Sequence, residues 1–361
     1  MKRFAVFAVF GILIAVSPTC SGIAEELRML VWDGYAPENH LEIFRHSVRD
    51  KHGIDLKITV KYASEFVDYR NALINSEVDI FTTSHNYPKD PRHKYIKKKR
   101  TIPVDVSNLR HFKEILSPLQ KTRYFTEGGQ VYGVPFIYGP YGLGYNTNMI
   151  KDEPKTWKIL WDPKYAGKYT IASTINVTNI YITSLAMGLD KSKIYQYQAA
   201  SSPEFLTKLK YLAKNVRSFY GAVETADDLQ GLSLAACWGF AFSELKKRGE
   251  TWKMATPAEG STAYIDGWMI SHTLRNKPKL KRIAEEWIDY TISPDFQVDQ
   301  VIRTLNNFPV SSAISDRATP EEIKAFHLDD PNYFEDHFIP WEILDRNTRK
   351  GFELLWKKAA R

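Results

Sequence analysis

The side chains best suited to chemistry in this sequence are aromatic rings and one carboxylate at the ends of predicted strands. Tyr264 and Asp266 lie two residues apart, so a strand puts both on one face. Trp32 and Trp238 close two other apolar runs. An ammonium group over a Trp or Tyr ring gains roughly 0.5–2 kcal/mol, and a buried carboxylate without a cation is costly. The pattern predicts a site for a small organic cation.

Each of these residues also suits a purely structural role. Trp32 and Trp238 fit a hydrophobic core, and Asp266 fits a turn before the glycine that follows it. Asn176 and Asn179 flank the start of a predicted helix, where asparagine is a common cap. We favour the binding interpretation because the aromatic and acidic candidates follow predicted strands from both halves of the chain.

An alternation of strands and helices predicts the scaffold that positions these residues. Residues 27–32, 54–60 and 78–81 carry strand patterns, and residues 37–52 and 66–75 carry helical patterns. This order predicts an α/β fold with an open parallel sheet and helices on both faces. Ligands of such sheets bind at the loops that follow the carboxyl ends of the strands.

The second half of the chain continues the alternation of strands and helices. Its predicted strands are 169–172, 233–238 and 263–270, and its predicted helices are 177–189, 204–216 and 279–292. Residues 307–309 are predicted to form a turn. The last stretch, residues 319–360, is predicted to form helices and loops that pack at the surface.

Length and composition indicate a two-domain globular protein. A chain of 361 residues is too long for one compact core, and 43% hydrophobic with 25% charged residues is an ordinary globular composition. The formal net charge is +7, and seven Lys and Arg residues fall within residues 89–100. That run suits a solvated surface or a docking patch for a membrane partner or anionic lipid. No nucleic-acid recognition motif accompanies it, so we expect no nucleic-acid partner.

Residues 1–24 have the pattern of a signal peptide. Two basic residues precede an apolar run at 4–16 that is too short to span a bilayer, and small residues precede a cleavage point after Ala24. A retained membrane anchor and a lipoprotein attached through Cys20 are the alternatives. The pattern predicts export to the periplasm. The remaining cysteine, Cys237, lies in an apolar run and is expected to be a buried thiol.

The sequence carries no motif of a known enzyme class. It lacks His-Glu-x-x-His, Gly-x-Ser-x-Gly, Cys-x-x-Cys and a phosphate-binding loop. Residues 142–147 approach a dinucleotide fingerprint but lack its third glycine. The nine His residues are scattered without the spacing of metal ligands. We therefore expect a protein that is not an enzyme and that binds no cofactor or metal.

Six short segments are together similar, in order and spacing, to the spermidine/putrescine-binding proteins of bacterial ABC importers. That family includes norspermidine sensors, and the resemblance covers nearly all of the predicted mature chain. The matching segments are Val-Trp-Asp-Gly-Tyr-Ala-Pro at 31–37, Asp-Ile-Phe-Thr-Thr-Ser at 79–84, Gly-Val-Pro-Phe-Ile-Tyr-Gly at 133–139, Cys-Trp-Gly at 237–239, Glu-Gly-Ser-Thr-Ala-Tyr-Ile-Asp at 259–266 and Asn-Phe-Pro at 307–309.

The resemblance implies a two-lobed periplasmic binding protein of type 2, with the ligand in a cleft between the lobes. Crossing strands near residues 135–139 and 257–259 would form the hinge. Lobe 1 would then comprise residues 25–137 and 259–310, and lobe 2 residues 138–258. Residues 311–361 would form a C-terminal helical segment that packs on the lobes.

The resemblance also implies which residues contact the ligand. Tyr264 stands where the family usually has Trp, and Asp266 matches the carboxylate that holds an amine. Asn176 and Asn179 stand where the family has an acidic pair for a terminal ammonium, and Phe308 replaces a Tyr. The other implied contacts are Trp32, Asp33, Tyr35, Ser84, His85, Asn86 and Trp238.

The function that the resemblance implies is capture of a polyamine, such as spermidine or norspermidine, by a monomeric periplasmic protein. The protein would present its ligand to a membrane partner, either the permease of an ABC importer or a membrane-bound signalling receptor. The sequence leaves these two partners open. The alternative is a binding protein for another small cation or for a sugar-like solute, because tryptophan stacking also suits sugars.

Overall fold

The computed structural model describes residues 23–120 and 122–361. The predicted signal peptide, residues 1–24, therefore lies outside the described residues except for its last two, and Cys20 lies outside them altogether. The first strand begins at Ile23, close to the predicted cleavage point after Ala24. In the described ranges, no helix is both long and apolar enough to cross a membrane.

The strands form one large sheet and one small hairpin. Within residues 23–120 and 122–361 they are β1 Ile23–Val31, β2 Ile54–Tyr62, β3 Ile80–Ser84, β4 Thr101–Ile102, β5 Thr126–Glu127, β6 Gln130–Val131, β7 Gly133–Asn146, β8 Tyr169–Ala172, β9 Ser218–Tyr220, β10 Leu234–Cys237, β11 Trp252–Met254, β12 Ser261–Ser271, β13 Phe308–Pro309 and β14 Phe338–Pro340. β5 and β6 make the hairpin, and the others belong to the large sheet.

The longer helices present an apolar stripe to the sheet. In the same part of the chain the α-helices are α1 Glu38–His52, α2 Phe66–Ile74, α3 Ser117–Gln120, α4 Val177–Ala186, α5 Pro203–Lys214, α6 Ala226–Leu229, α7 Phe242–Lys247, α8 Pro278–Thr291, α9 Pro294–Phe296, α10 Pro320–Ala325, α11 Tyr333–His337 and α12 Arg346–Ala359. In α1, for example, Leu41, Phe44 and Val48 are buried at spacings of three and four residues, which is the period of one helix face.

The large sheet consists of two parallel halves joined by an antiparallel centre. Its main path runs β2-β1-β3-β12-β7-β10-β8-β9. β1 is parallel to β2 and β3, and β8 is parallel to β9 and β10. β12 and β7 are antiparallel to each other and to their outer neighbours β3 and β10. The two crossing strands therefore lie side by side at the centre of the molecule.

β7 carries the chain from one half of the sheet to the other. Its first part pairs with β12, and its last part pairs with β10 and β11. All residues of the strand are buried. Tyr138 packs in one hydrophobic core and Tyr141 in the other, so the crossing lies between these two residues. We call the half around the first core lobe 1 and the half around the second core lobe 2.

The C-terminal residues belong to both lobes. Phe334 and Phe338 pack in the core of lobe 1, whereas Trp341, Leu355 and Trp356 pack in the core of lobe 2. Between them, β14 pairs with the start of β12. The chain therefore crosses between the lobes a third time near Trp341, in a stretch for which the sequence predicted only surface helices and loops.

Candidate functional site

A cavity of about 480 Å³ lies between the lobes, beside the crossing strands. This is the position at which ligands bind in two-lobed α/β proteins, because the carboxyl ends of the strands face the cleft. Seven of the predicted site residues line it. They are Trp32, Asp33, Tyr35, Ser84, Trp238, Tyr264 and Asp266.

Asp266 is the buried carboxylate of this cavity and is only 3% exposed. It lies on β12 opposite Ser84 of β3, where a bulge interrupts the pairing of β12 with β7. Its Oδ1 accepts a hydrogen bond of 2.5 Å from the Ser84 hydroxyl, and its Oδ2 accepts one of 2.9 Å from Tyr35. Burial raises the pKa of Asp266 to about 6. Both donors are neutral, so its negative charge has no counter-charge among the described residues.

Tyr264 and Trp238 join the crossing strand to lobe 2. The Tyr264 hydroxyl donates to Asn307 Oδ1 at 2.8 Å, and Asn307 Nδ2 donates to the Trp238 carbonyl at 3.2 Å. The Trp238 indole N–H donates to the Ala222 carbonyl at 2.9 Å. The two rings meet edge to face, with centroids 5.8 Å apart. These bonds fix both rings in the cavity wall, as a stacking platform requires.

The lobe 1 wall of the cavity is formed by the loop after β1. Trp32 packs edge-on against Phe66 of α2, with ring centroids 5.2 Å apart, and Tyr35 packs against Phe136 of β7 at 4.8 Å. Asp33, between the two aromatic residues, is exposed. The turn therefore offers the cavity rigid aromatic surface and places a solvated carboxylate at its edge.

A second cavity of about 430 Å³ adjoins the first and holds two more of the predicted residues, Asn86 and Asn176. Trp32, Phe66 and Trp341 line both cavities, so the two are neighbouring parts of one cleft. The Asn176 side chain donates to the Ser173 carbonyl at 2.9 Å. Asn86 and Asn176 therefore line the second cavity, whereas Asp266 lines the first.

Three predicted contacts, His85, Asn179 and Phe308, line neither of these cavities. In His85, Nδ1 accepts from the Ile265 amide and Nε2 donates to the Trp341 carbonyl, which ties lobe 1 to the third crossing. Burial lowers its pKa to about 4, so the ring is neutral. The Asn179 amide makes one hydrogen bond at each polar atom: Oδ1 accepts from the Tyr141 hydroxyl and Nδ2 donates to the Ala172 carbonyl. Phe308 lies in β13, where a turn was predicted, and packs against Tyr138 and Tyr333.

Among the residues that line the first cavity without having been predicted from the sequence are Glu224 and Trp341. Glu224 is 3% exposed, although the residues after it are polar and form the capping box of α6. That context is typical of a surface loop and gave no signal of burial. Trp341 lies in the third crossing, and no local pattern distinguished it from the other aromatic residues of the C-terminal stretch.

The charged residues that line the first cavity in the described chain are all acidic. Four carboxylates contribute to it, namely Asp33, Glu224, Glu244 and Asp266, and no Lys, Arg or His of the described chain does. A cluster of three or more possible metal-ligating side chains is likewise missing from the described residues. Carboxylates among aromatic rings attract and hold an organic cation.

Two lobes, three crossings and a cleft lined from both sides define a two-lobed solute-binding protein. Comparison with solved structures supports this two-lobed fold. A spermidine/putrescine ABC transporter substrate-binding protein from Streptococcus pneumoniae superimposes with a TM-score of 0.74, covering 93% of this chain and 100% of that one, at 15% sequence identity. The predicted fold class is confirmed.

The chain belongs to the bacterial extracellular solute-binding protein family, whose model matches residues 75–347. It is 26% identical over 223 residues to spermidine/putrescine-binding periplasmic protein 1 of Haemophilus influenzae, covering 61% of this chain and 58% of that protein. It is 20% identical to the putrescine-binding periplasmic protein SpuD of Pseudomonas aeruginosa, covering 99% of this chain and 98% of the other. The predicted resemblance is confirmed, and the protein is a binding protein rather than an enzyme.

Proposed function

We propose that this protein, in the periplasm, captures a polyamine in the cleft between its lobes and presents it to the permease of an ABC importer. The observation that carries the proposal is the uncompensated charge of Asp266, buried in a cavity without basic residues. Two relatives, one named for spermidine and putrescine and the other for putrescine, support the same ligand class.

The electrostatics of Asp266 favour an ammonium ligand over a neutral one. Removing a carboxylate from water costs several kcal/mol, and neutral hydrogen-bond donors recover only part of that cost. A sugar would add further neutral donors to Asp266, whereas an ammonium group would supply the opposite charge as well. The mostly apolar surroundings strengthen this attraction because they lower the local dielectric constant.

The aromatic walls suit the remainder of a polyamine. Between its nitrogens a polyamine consists of methylene groups, which gain about 0.8 kcal/mol each when they leave water. Trp238 and Tyr264 offer ring surface from one side and Trp32 from the other. A flexible chain of methylenes therefore finds apolar contact on both sides of its charged nitrogen.

Isothermal titration calorimetry with putrescine, spermidine and norspermidine, and with glucose and glutamate as other solute classes, tests the proposal. We expect binding of at least one polyamine and no binding of the sugar or the acidic amino acid. The proposal is wrong if no polyamine binds.

Asp266→Asn keeps the shape of the side chain and removes its charge. Truncating one partner of a buried charge pair costs about 2–5 kcal/mol, so we expect at least about a tenfold loss of polyamine affinity, or roughly 1.4 kcal/mol. Asp50→Asn is the matched control, because Asp50 is exposed on α1. Equal affinities for Asp266→Asn and the unmodified protein would reduce Asp266 to a structural residue.

A further inference from the structure

Glu224 is a second buried carboxylate of the cleft, and it belongs to the opposite lobe from Asp266. It lies in the loop between β9 and α6 and lines the first cavity. Its Oε1 accepts from the Gly239 amide at 2.7 Å, and its Oε2 accepts from the Trp238 amide at 3.2 Å. These bonds hold the carboxylate in a fixed position beside the Trp238 ring.

Like Asp266, Glu224 has no cationic partner among the described residues. No Lys, Arg or His in the described part of the chain forms an ion pair with it, and its hydrogen-bond donors are neutral amides. Burial raises the pKa of its carboxyl group to about 7, so its charge is maintained at a cost. The cleft therefore contains two buried acids, one in each lobe, and both lack a counter-charge.

The other two acids of the cavity are in different situations. Glu244 forms ion pairs with Lys247 at 3.5 Å and Arg248 at 3.3 Å, and its side chain is half exposed. Asp33 is exposed at the edge, where water screens its charge. A positive charge on a ligand is consequently stabilised most beside Asp266 and Glu224.

We propose that Glu224 is the lobe 2 anchor for a second ammonium group, so that the ligand is a linear aliphatic amine with at least two charged nitrogens. One nitrogen pairs with Asp266 in lobe 1 and another with Glu224 in lobe 2. This inference rests on the proposed function. It assigns to Glu224 the role that an acid at position 176 or 179 would otherwise fill, since Asn179 lines neither cavity and Asn176 lines the second one.

A purely structural role for Glu224 makes a different prediction. If Glu224 only orders the backbone at Trp238 and Gly239, its replacement disturbs the cavity wall for every ligand alike. If it binds a second ammonium, its replacement weakens only those ligands that carry one. Putrescine and butylamine separate the two roles, because both have four carbons but carry two charges and one charge, respectively.

Calorimetry of both amines with the unmodified protein and with Glu224→Gln, using displacement titrations for weak binding, tests the inference. In the unmodified protein we expect putrescine to bind at least tenfold more tightly than butylamine. Glu224→Gln should weaken the affinity for putrescine at least tenfold and change the affinity for butylamine less than threefold. Asp266→Asn is the companion variant, and it should also weaken putrescine at least tenfold.

The outcomes separate this inference from the proposed function. Equal affinities for putrescine and butylamine, or equal losses of both in Glu224→Gln, overturn the role of Glu224 while amine binding stands. Binding of no amine at all overturns the proposed function itself. If Glu224→Gln does not fold, proton release by the unmodified protein decides the question. Titrations at pH 6.5 in two buffers of different ionisation enthalpy should then show more protons released with putrescine than with butylamine, and equal release refutes the inference.

Discussion

At the scale of single residues, the two buried acids of the cleft make ligand affinity sensitive to pH. Burial raises the pKa of Asp266 from its ordinary 3.8 to about 6 and that of Glu224 from 4.5 to about 7. An ammonium nearby favours the ionised form. Between pH 8 and pH 5 these two acids take up protons in the empty protein, and a bound ammonium opposes that protonation. Affinity for a diamine should therefore fall as the pH falls through this range.

Calorimetric Kd values for putrescine at pH 5, 6, 7 and 8 provide the measurement. The decline should be shallower in Asp266→Asn, which has one titrating acid fewer. The stability that these two acids give to the free protein depends on pH in the opposite sense. In the free protein, Asp266 and Glu224 each bind more protons in the folded state than in the unfolded state between about pH 4 and pH 7, so their contribution to the free energy of unfolding decreases as the pH rises through that window. A pH-independent Kd would contradict this account.

The identity of the site residues was only partly predictable, for reasons that lie at this scale. Tyr264 and Asp266 share a strand face, and alternation along the strand predicted their common direction. Asn179 was predicted to face ligand, but Tyr141 of β7 occupies its amide. Glu224 was missed because its carboxylate is held by the Trp238 and Gly239 amides just after β10, a tertiary contact that no local pattern of the sequence records.

At the scale of the elements, Gly139 leaves room for the side chain that holds the cleft wall. It lies at the crossing in β7, opposite Tyr264. A methyl group at this position would overlap the Asn307 side chain, which bonds to both Tyr264 and Trp238. Gly139→Ala should therefore displace the Asn307 amide and loosen both rings.

Overpacking of this kind typically costs about 1–3 kcal/mol. We expect Gly139→Ala to lower the free energy of unfolding by that amount and to weaken polyamine binding as well. Gly221→Ala is the control, because a methyl group there meets no atom within 4 Å. Urea unfolding followed by tryptophan fluorescence checks the stability. Equal stability of Gly139→Ala and Gly221→Ala would show that Asn307 moves freely and is not a clamp.

The elements themselves were predicted best where the sequence has a clear period. β8 has the predicted bounds, and α1 and α8 begin within one residue of prediction. β7 was not recognised as one strand because it contains four glycines and two prolines, which are depleted in strands. Its complete burial and its long pairing with β12 decide its conformation, and both arise from distant parts of the chain.

At the scale of the whole molecule, a diamine bound to both acids would be an additional link between the two lobes. A ligand that binds only the folded state stabilises it by about 2.7 kcal/mol at a concentration of 100 Kd. We therefore expect putrescine at that concentration to raise the melting temperature. In Asp266→Asn the same concentration should produce a clearly smaller rise. Thermal unfolding followed by circular dichroism checks both, and an unchanged melting temperature in the unmodified protein would contradict binding to the folded state.

The third crossing limits how the two lobes can move. A single connecting span would leave one lobe free to swivel on the other, whereas β7, the return into β12 and the span from β14 to Trp341 together permit mainly bending about one axis. Trp341 lies on the last of these spans and lines both cavities. Any bending that widens one chamber therefore moves the shared wall of the other, and the two compartments of the cleft must change shape together.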